Sequence, residues 1–502
     1  MEQQMPNWLK KRAELTPERT ALIFENKSYT FLQLYQSASK AAGQLAFAGI
    51  SSGEVAAVLL PNHSDSVMIL YALQMMGVRT VILNNRLTAK ELAWQLEDSD
   101  AAALISEESF EEKLSQIKKE STIKILPKEK IFQFPVADFQ LLEEYHLDEV
   151  TTVMYTSGTT GSPKGVLQTY GNHWWSAAAS ALNIGLQEND KWLCAVPIFH
   201  ISGYSILMRS LVYGMCVVLY RNFNERIILE GIEQHRVTIM SAVSTMLLRL
   251  TDALGETRLP EFFRCLLLGG GPAPLSLLET CKQKGIPVYQ TYGMTETSSQ
   301  FATLAPEYSL EKLGSAGKAL FPNQIKIISE LGIEVPAQSE GEIIVKGPNV
   351  TPGYLHREDE TKEKIKKGWL HTGDLGYLDK DGFLYVLDRR TDLIISGGEN
   401  IYPAEIEGVL LGHKAVEDAG VIGVADPEWG HVPLAFVVRR AGAAIDESSL
   451  ISYCTDSLAK YKVPKGIVFS ESLPRNASKK LLRRKLRDWA AGQGETHEPS
   501  KD

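Results

Sequence analysis

Cysteine is scarce in this chain of 502 residues: five in all, Cys194, Cys216, Cys265, Cys281 and Cys454. No two stand in C-x-x-C spacing, which excludes a thioredoxin-type pair and the common structural zinc sites. The odd count and wide separation suit free thiols in a reducing compartment. Long apolar runs are also missing. No stretch of about 18 uncharged apolar residues occurs, so no helical membrane span is expected. The opening MEQQMPNWLKKRAELTPE has no apolar signal segment. An excess of basic residues is absent too: net charge is −9. That argues against a general nucleic-acid binder or an anionic-membrane binder. Two nucleotide fingerprints fail, G-x-x-x-x-G-K-[ST] and G-x-G-x-x-G. No serine or cysteine triad signature is present. What is left is a cytoplasmic globular protein, with 44% apolar and 23% charged residues. It is long enough to need at least two domains.

What is present centres on MYTSGTTGSPKGV, residues 154–166. An apolar strand runs into Thr156, Ser157, Gly158, Thr159, Thr160 and Gly161, and Pro163-Lys164-Gly165 closes the loop. Small residues let the backbone curl so that several N–H groups face one anion. The hydroxyls add donors and Lys164 adds a mobile positive charge. By composition this is a polyphosphate cradle; the competing reading is a flexible surface loop.

Around it the chain alternates. Strand-like runs at 55–60, 80–83 and 101–105 are separated by helices through 76 and over 89–96. This β-α-β-α-β order predicts a parallel sheet covered by helices. The charge-rich stretch 113–130 reads as a surface connection. Further strands are expected at 192–196, 216–219, 238–242, 265–268 and 288–291, with helices such as 225–235 and 275–284 between them. Loops at strand C-terminal ends form the site in such sheets. From 313 the texture becomes that of a β subdomain, with strands at 324–328 and 342–346 and a hairpin over 375–388 turning at Asp379-Lys380-Asp381-Gly382. A compact α+β unit follows. The expected division is a large domain over 1–390 and a small mobile lid over 391–502, with a polar, disordered tail from 492.

Four further motifs carry chemistry. LLLGGGPAPL (266–275) runs a strand into Gly269, Gly270, Gly271 and Pro272, where a ribose or flat ring can approach; a tight strand-helix turn is the alternative. QTYGMTETSSQ (290–300) offers Tyr292 to stack on adenine, Gly293, Thr295 for phosphate and Glu296 for Mg²⁺. The same residues also suit a plain helix start. WLHTGDLGYLDKDGFLYVLDRR (369–390) places Asp374 in a Gly-flanked turn, where a carboxylate can accept both ribose hydroxyls, with Arg389 at the end of the hairpin. LPRNASKKLLRRKLR (473–487) sets Lys480 before an amphipathic helix. It reads either as a solvated charged face or as a lysine that neutralises charge at a reacting phosphate.

Taken in order, these motifs resemble those of the adenylate-forming superfamily: acyl- and aryl-CoA synthetases, luciferases and amino-acid adenylation domains. The resemblance runs from about residue 10 to residue 487. It implies an α/β fold with a large N-terminal domain of parallel-rich sheets, a β subdomain and a small mobile α+β C-terminal domain. It implies ATP, Mg²⁺ and CoA as cofactors or co-substrates, with a small-molecule carboxylate as partner. A homo-oligomer is compatible with it. By position it implies phosphate binding by Thr156 to Gly161 and Lys164. Gly269 to Pro272, Tyr292, Gly293, Thr295, Asp374 and Arg389 would hold the nucleotide, Glu296 the metal, and Lys480 would be the adenylation lysine. Two positions depart from the pattern: Lys479 and Asp388 stand where the family has glycine.

VPIFHISG (196–203) carries Phe199-His200 where amino-acid adenylation domains carry Phe-Asp. This resembles the CoA synthetases and adds His200 to the catalytic set with Lys164 and Lys480. No carrier domain follows Lys480, so free CoA is the expected acceptor. QTYGNHWWSAAASALNIG, EKLGSAGKAL and LDRRTDLIISGGENIYPAEIE resemble the CoA ligases of menaquinone biosynthesis. They imply 2-succinylbenzoate as the acid. His200, Ser202, Ser298, Ser299 and Gln300 then become candidate polar lining, with Trp174, Trp175 and Phe199 as walls. A luciferase-like or catalytically silent homologue is the alternative.

Overall fold

The structure is a computed structural model. It describes residues 3–156, 163–269, 275–312, 314–329, 331–388, 394–401, 403–474, 481 and 483–492. The chain forms two compact units. The first comprises Met1–Asn85, Leu92–Thr156 and Lys164–Leu387; the second comprises Arg86–Glu91, Ser157–Pro163 and Asp388–Asp502.

Besides the short pair Gln4–Pro6 and Glu144–His146, the first unit is built on two large sheets. The smaller one runs in the order Lys164–Thr169, Val150–Thr156, Arg79–Ile82, Val55–Leu59, Ala103–Ser106, Lys124–Pro127. All its neighbours are parallel except the first pair. Its strands are short, almost uninterrupted apolar runs, because helices cover both faces of a parallel sheet. Stretch 113–130, expected to be a surface connection, is more than that. It takes in most of helix Glu111–Glu120, which buries Leu114 and Ile117, and the edge strand Lys124–Pro127. Three or four apolar side chains suffice to seat these elements, and the flanking lysines hide the pattern.

The larger sheet has a parallel run of Val288–Met294, Cys265–Gly269, Ile239–Val243, Lys191–Cys194, Cys216–Leu219 and Thr20–Phe24. Antiparallel Ser299–Leu304 and Ser315–Ala319 follow on its other side. Ser315–Ala319 then pairs with Leu384–Asp388, so the β subdomain continues the same hydrogen-bonded path. All five cysteines are buried and unpaired. Among the described residues, no helix is long and apolar enough to cross a membrane.

The second unit packs helices Pro403–Leu411 and Glu447–Ser457 and a small sheet around Ile394, Ile406, Val421, Ala435 and Leu450. The long hairpin Val416–Asp426 and Gly430–Arg439 is its spine. Glycines 397 and 398 take positive φ at the turn between Ile394–Ser396 and Glu399–Ile401. In the terminal basic helix Arg483–Ala490, Arg483 makes a two-pronged bond to both oxygens of Glu407 at 2.7 Å. That member of the charge run is therefore a partly buried structural ion pair rather than a solvated charge. The expected tail lies outside the described residues from 493 onward.

Candidate functional site

Ser157, Gly158, Thr159, Thr160, Gly161, Gly270, Gly271, Pro272, Arg389 and Lys480 lie outside the described residues. The two ends of the phosphate loop are described. Thr156 and Lys164 are direct partners in the antiparallel pair Val150–Thr156 and Lys164–Thr169. Lys164 is thus the first residue of the strand that returns beside Val150–Thr156. A Cβ on Gly165 would stand 2.9 Å from Val153 Cγ1 and 3.2 Å from Leu355 Cβ. Glycine here lets the 353–355 segment lie along the strand, with Leu355 N–H donating to Gly165 O (2.8 Å) and Leu167 N–H to Gly353 O (3.0 Å). That pairing brings the Tyr354 ring to 5.7 Å from Lys164 Nζ. The ammonium is ion-paired with Glu360.

Tyr354 also reaches the second motif, since its hydroxyl donates to Glu296 Oε1 at 3.0 Å. Glu296 sits in a single 3₁₀ turn, Thr295–Thr297, rather than at the start of an α-helix. Desolvation raises its carboxyl above the ordinary range, and the nearby Asp374 adds to the rise. The Tyr354 hydroxyl, its own backbone N–H and Lys364 oppose it. Such a carboxylate gains from a cation. With Asp374 close by, it fits one Mg²⁺ held by few protein oxygens and by phosphate.

Asp374 was expected in a turn; it lies inside the long strand Trp369–Leu378, at a kink where Gly373 takes φ 75°. The bulged register against Gly341–Lys346 re-aims the side chain. The Thr372 hydroxyl accepts from Asp374 N–H at 3.0 Å. Asp374 Oδ2 accepts the Tyr292 hydroxyl at 2.8 Å. Tyr292 is only 5% exposed, with its ring in the cluster of Phe301, Ile343 and Leu384. Gly293 must be glycine, since a Cβ there would meet Ser299 O at 2.1 Å. Gly269 ends strand Cys265–Gly269, and among the described residues a Cβ there would touch only Thr291 Oγ1, at 3.6 Å.

His200 precedes helix Ile201–Tyr213, and its carbonyl accepts from Tyr204 N–H at 2.9 Å. Its ring lies 4.7 Å from that of Phe199. Trp174 packs on Trp8, with ring centroids 6.2 Å apart, so the N-terminal core uses one of its faces.

Four residues that bear on this site were not among the expected site residues: Tyr354, Glu360, Gln168 and Arg209. Arg209 stands alone among apolar residues in ISGYSILMRSLVY, and a charge inside such a helix is the signal that could have found it. It is 1% exposed. One amino group donates to Ser299 Oγ at 3.1 Å and Gln300 Oε1 at 3.3 Å. The Trp192 ring lies 4.9 Å from its central carbon. Among the described residues no carboxylate pairs with it, and Nε and Nη1 have no hydrogen-bond partner. Burial lowers its pKa, yet a guanidinium stays charged at neutral pH. It is a buried cation beside the Tyr213 hydroxyl, and none of the described residues supplies its counter-charge.

Known proteins resemble this chain over most of its length. Residues 9–355 match the AMP-binding enzyme family and residues 405–480 the AMP-binding enzyme C-terminal domain. A 2-succinylbenzoate–CoA ligase of Geobacillus sp. (strain WCH70) is 55% identical over 487 residues, 97% of this chain and 98% of the relative. A double mutant of o-succinylbenzoate CoA synthetase from Bacillus subtilis, bound with its product analogue OSB-NCoA, is similar at 50% identity. Its TM-score is 0.93, over 97% of this chain and 98% of that one. The Bacillus subtilis synthetase in complex with ATP and magnesium ion is similar at 49% identity and TM-score 0.76, over 97% and 100%.

Proposed function

The chain belongs to the AMP-binding enzyme family, and on that premise we propose the following roles for its residues. It is an AMP-forming acid–thiol ligase that converts 2-succinylbenzoate, ATP and CoA to 2-succinylbenzoyl-CoA, AMP and pyrophosphate through an acyl-adenylate. Its place is menaquinone biosynthesis in the cytoplasm, where ATP and CoA are supplied.

The acid is carried by one observation, the buried Arg209, which meets no carboxylate among the described residues. 2-Succinylbenzoate has two carboxylates. The succinyl one reacts; the ring one only binds, and burying it unpaired would cost several kcal/mol. Arg209, with Ser299 beside it, supplies the missing counter-charge.

In the first half-reaction the succinyl carboxylate attacks the α-phosphorus in line and pyrophosphate leaves. The residues position and neutralise; none forms a covalent bond. Lys164 and the 156–161 loop hold the β- and γ-phosphates, Asp374 holds the ribose, and Lys480 neutralises charge at the α-phosphate. Glu296 would hold Mg²⁺, which when bound shields the triphosphate charge. In the second half-reaction the CoA thiol attacks the acyl carbonyl and AMP leaves. Residues 391–502 form a lid that presents Lys480 in the first half and the Ser396-Gly397-Gly398 turn in the second, swinging about Thr391.

A panel of carboxylic acids assayed for AMP release tests the reading. 2-Succinylbenzoate should lead it; a preference for fatty or cinnamic acids would remove the acid assigned and leave the family.

A further inference from the structure

A buried polar chain lies beneath the Glu296 turn and takes no part in the reaction as written. His173, Thr152 and Gln168 are each 1% exposed or less. The Thr152 hydroxyl donates to Gln168 Oε1 at 3.0 Å. A hydroxyl has one proton, so Thr152 Oγ1 accepts from His173 Nε2, 2.8 Å away. His173 is then the neutral Nε2–H tautomer, in keeping with burial that pushes its pKa down to about 3. The Gln168 amide, its oxygen committed to Thr152, turns its Nε2–H to the carbonyl of Thr295 at 3.0 Å. The bonds run one way, from imidazole to hydroxyl to amide, and end on the residue before Glu296.

The next three carbonyls are held as well. Glu296 O accepts from Thr351 N–H at 2.8 Å, Thr297 O from Asn349 Nδ2 at 2.8 Å and Ser298 O from Ser176 Oγ at 2.6 Å. Ser298 and Ser299 follow at φ 51° and 111°, which non-glycine residues rarely adopt. Four consecutive carbonyls bound by four different residues, next to strained backbone, fix this turn far more firmly than chain reversal requires.

We propose that the His173–Thr152–Gln168 chain is a positioning device for Glu296, setting the turn so that its carboxylate meets Mg²⁺ on the nucleotide in the orientation that small octahedral ion requires. The proposal rests on the assignment of Glu296 made above.

The test is calorimetric binding of α,β-methylene-ATP, which cannot be cleaved at the reacting bond, to the full chain with Mg²⁺ and with EDTA. The quantity read is the factor by which Mg²⁺ tightens binding. Gln168→Leu should cut that factor about 10-fold, the usual scale for losing an outer-shell partner, with binding in EDTA unchanged. Thr152→Val, which keeps shape and removes only the hydroxyl, should cut it in the same direction. If both variants lower the melting temperature and leave the Mg²⁺ factor intact, the chain only supports the fold and the proposal is wrong. If Gln168→Leu does not fold, Thr152→Val decides alone. Glu296→Gln is the control: should it keep the whole factor, the metal assignment fails and the proposal with it.

Discussion

The ammonium of Lys164 is ion-paired with the carboxylate of Glu360, on helix Glu358–Lys364, under the face of the Tyr354 ring. Lys164 is the cation assigned to the outer phosphates of ATP. Any triphosphate that uses it must compete with an acidic group already in place.

Glu360→Gln should therefore tighten α,β-methylene-ATP. An ion pair of this partial exposure contributes about 1 kcal/mol, or roughly 5-fold in affinity. Lys164→Ala should weaken the same ligand. Calorimetry on both variants checks the pair; weaker binding by Glu360→Gln would mean that Glu360 orients Lys164 rather than competing for it.

His173 makes stability depend on pH with a definite sign. Its folded pKa is depressed to about 3 by burial, against about 6.5 when unfolded. Between these values the unfolded chain binds a proton that the native chain does not. Stability is complete above about pH 6.5 and is lost as pH falls toward 3, at up to about 1.4 kcal/mol per unit. Glu296 has the opposite sign: its raised carboxyl costs stability as pH rises. Urea unfolding between pH 4 and 7 should give His173→Asn a slope shallower by about one proton. Parallel curves would show that His173 is protonated in the native state.

Lys480→Ala should slow acyl-adenylate formation by at least ~10²-fold, the scale for one preorganised transition-state donor. Thioester formation from supplied acyl-adenylate should change much less. Equal loss in both halves, or a larger adenylation defect in Lys479→Ala, would sink the assignment.

The apolar runs around Val55, Val81, Cys216 and Leu267 reveal their strands because buried parallel strands have no polar face to confuse the pattern. The nucleotide motifs are legible because close backbone approach restricts the residue types allowed. Asp374 was identifiable, but its strand was not: Gly373 looks like a turn and is a bulge. Tyr354 acts through pairing between segments nearly two hundred residues apart, Leu167 with Gly353 and Gly165 with Leu355, and Gln168 through its bond to the distant Thr295 carbonyl. Nothing local announces such pairing. Glu360 is hidden in the run EDETKEK, where every charge looks solvated.

Arg209 separates a functional charge from a structural one. A buried cation without a carboxylate costs stability, and replacing such a charge by an apolar side chain of similar size often stabilises. Arg209→Met should therefore leave the melting temperature unchanged or higher. The same change leaves the ring carboxylate of 2-succinylbenzoate without its cation. Adenylation of that acid should fall on the order of 10²-fold, because a site built for a polar group discriminates strongly on that group. 4-Phenyl-4-oxobutanoate, which lacks the ring carboxylate, should be a poor substrate of the natural chain by a similar factor and should be little affected by the substitution. The selectivity gap thus closes in Arg209→Met and reopens in part in Arg209→Lys. His200→Ala should slow both acids and keep the gap, since the charge that makes the distinction is on Arg209. Pyrophosphate exchange with the two acids, in the natural chain and the three variants, reads all of this at once. A gap that survives Arg209→Met would move the ring carboxylate elsewhere in the pocket. Equal rates for the two acids in the natural chain would mean that the ring carboxylate is not bound at all.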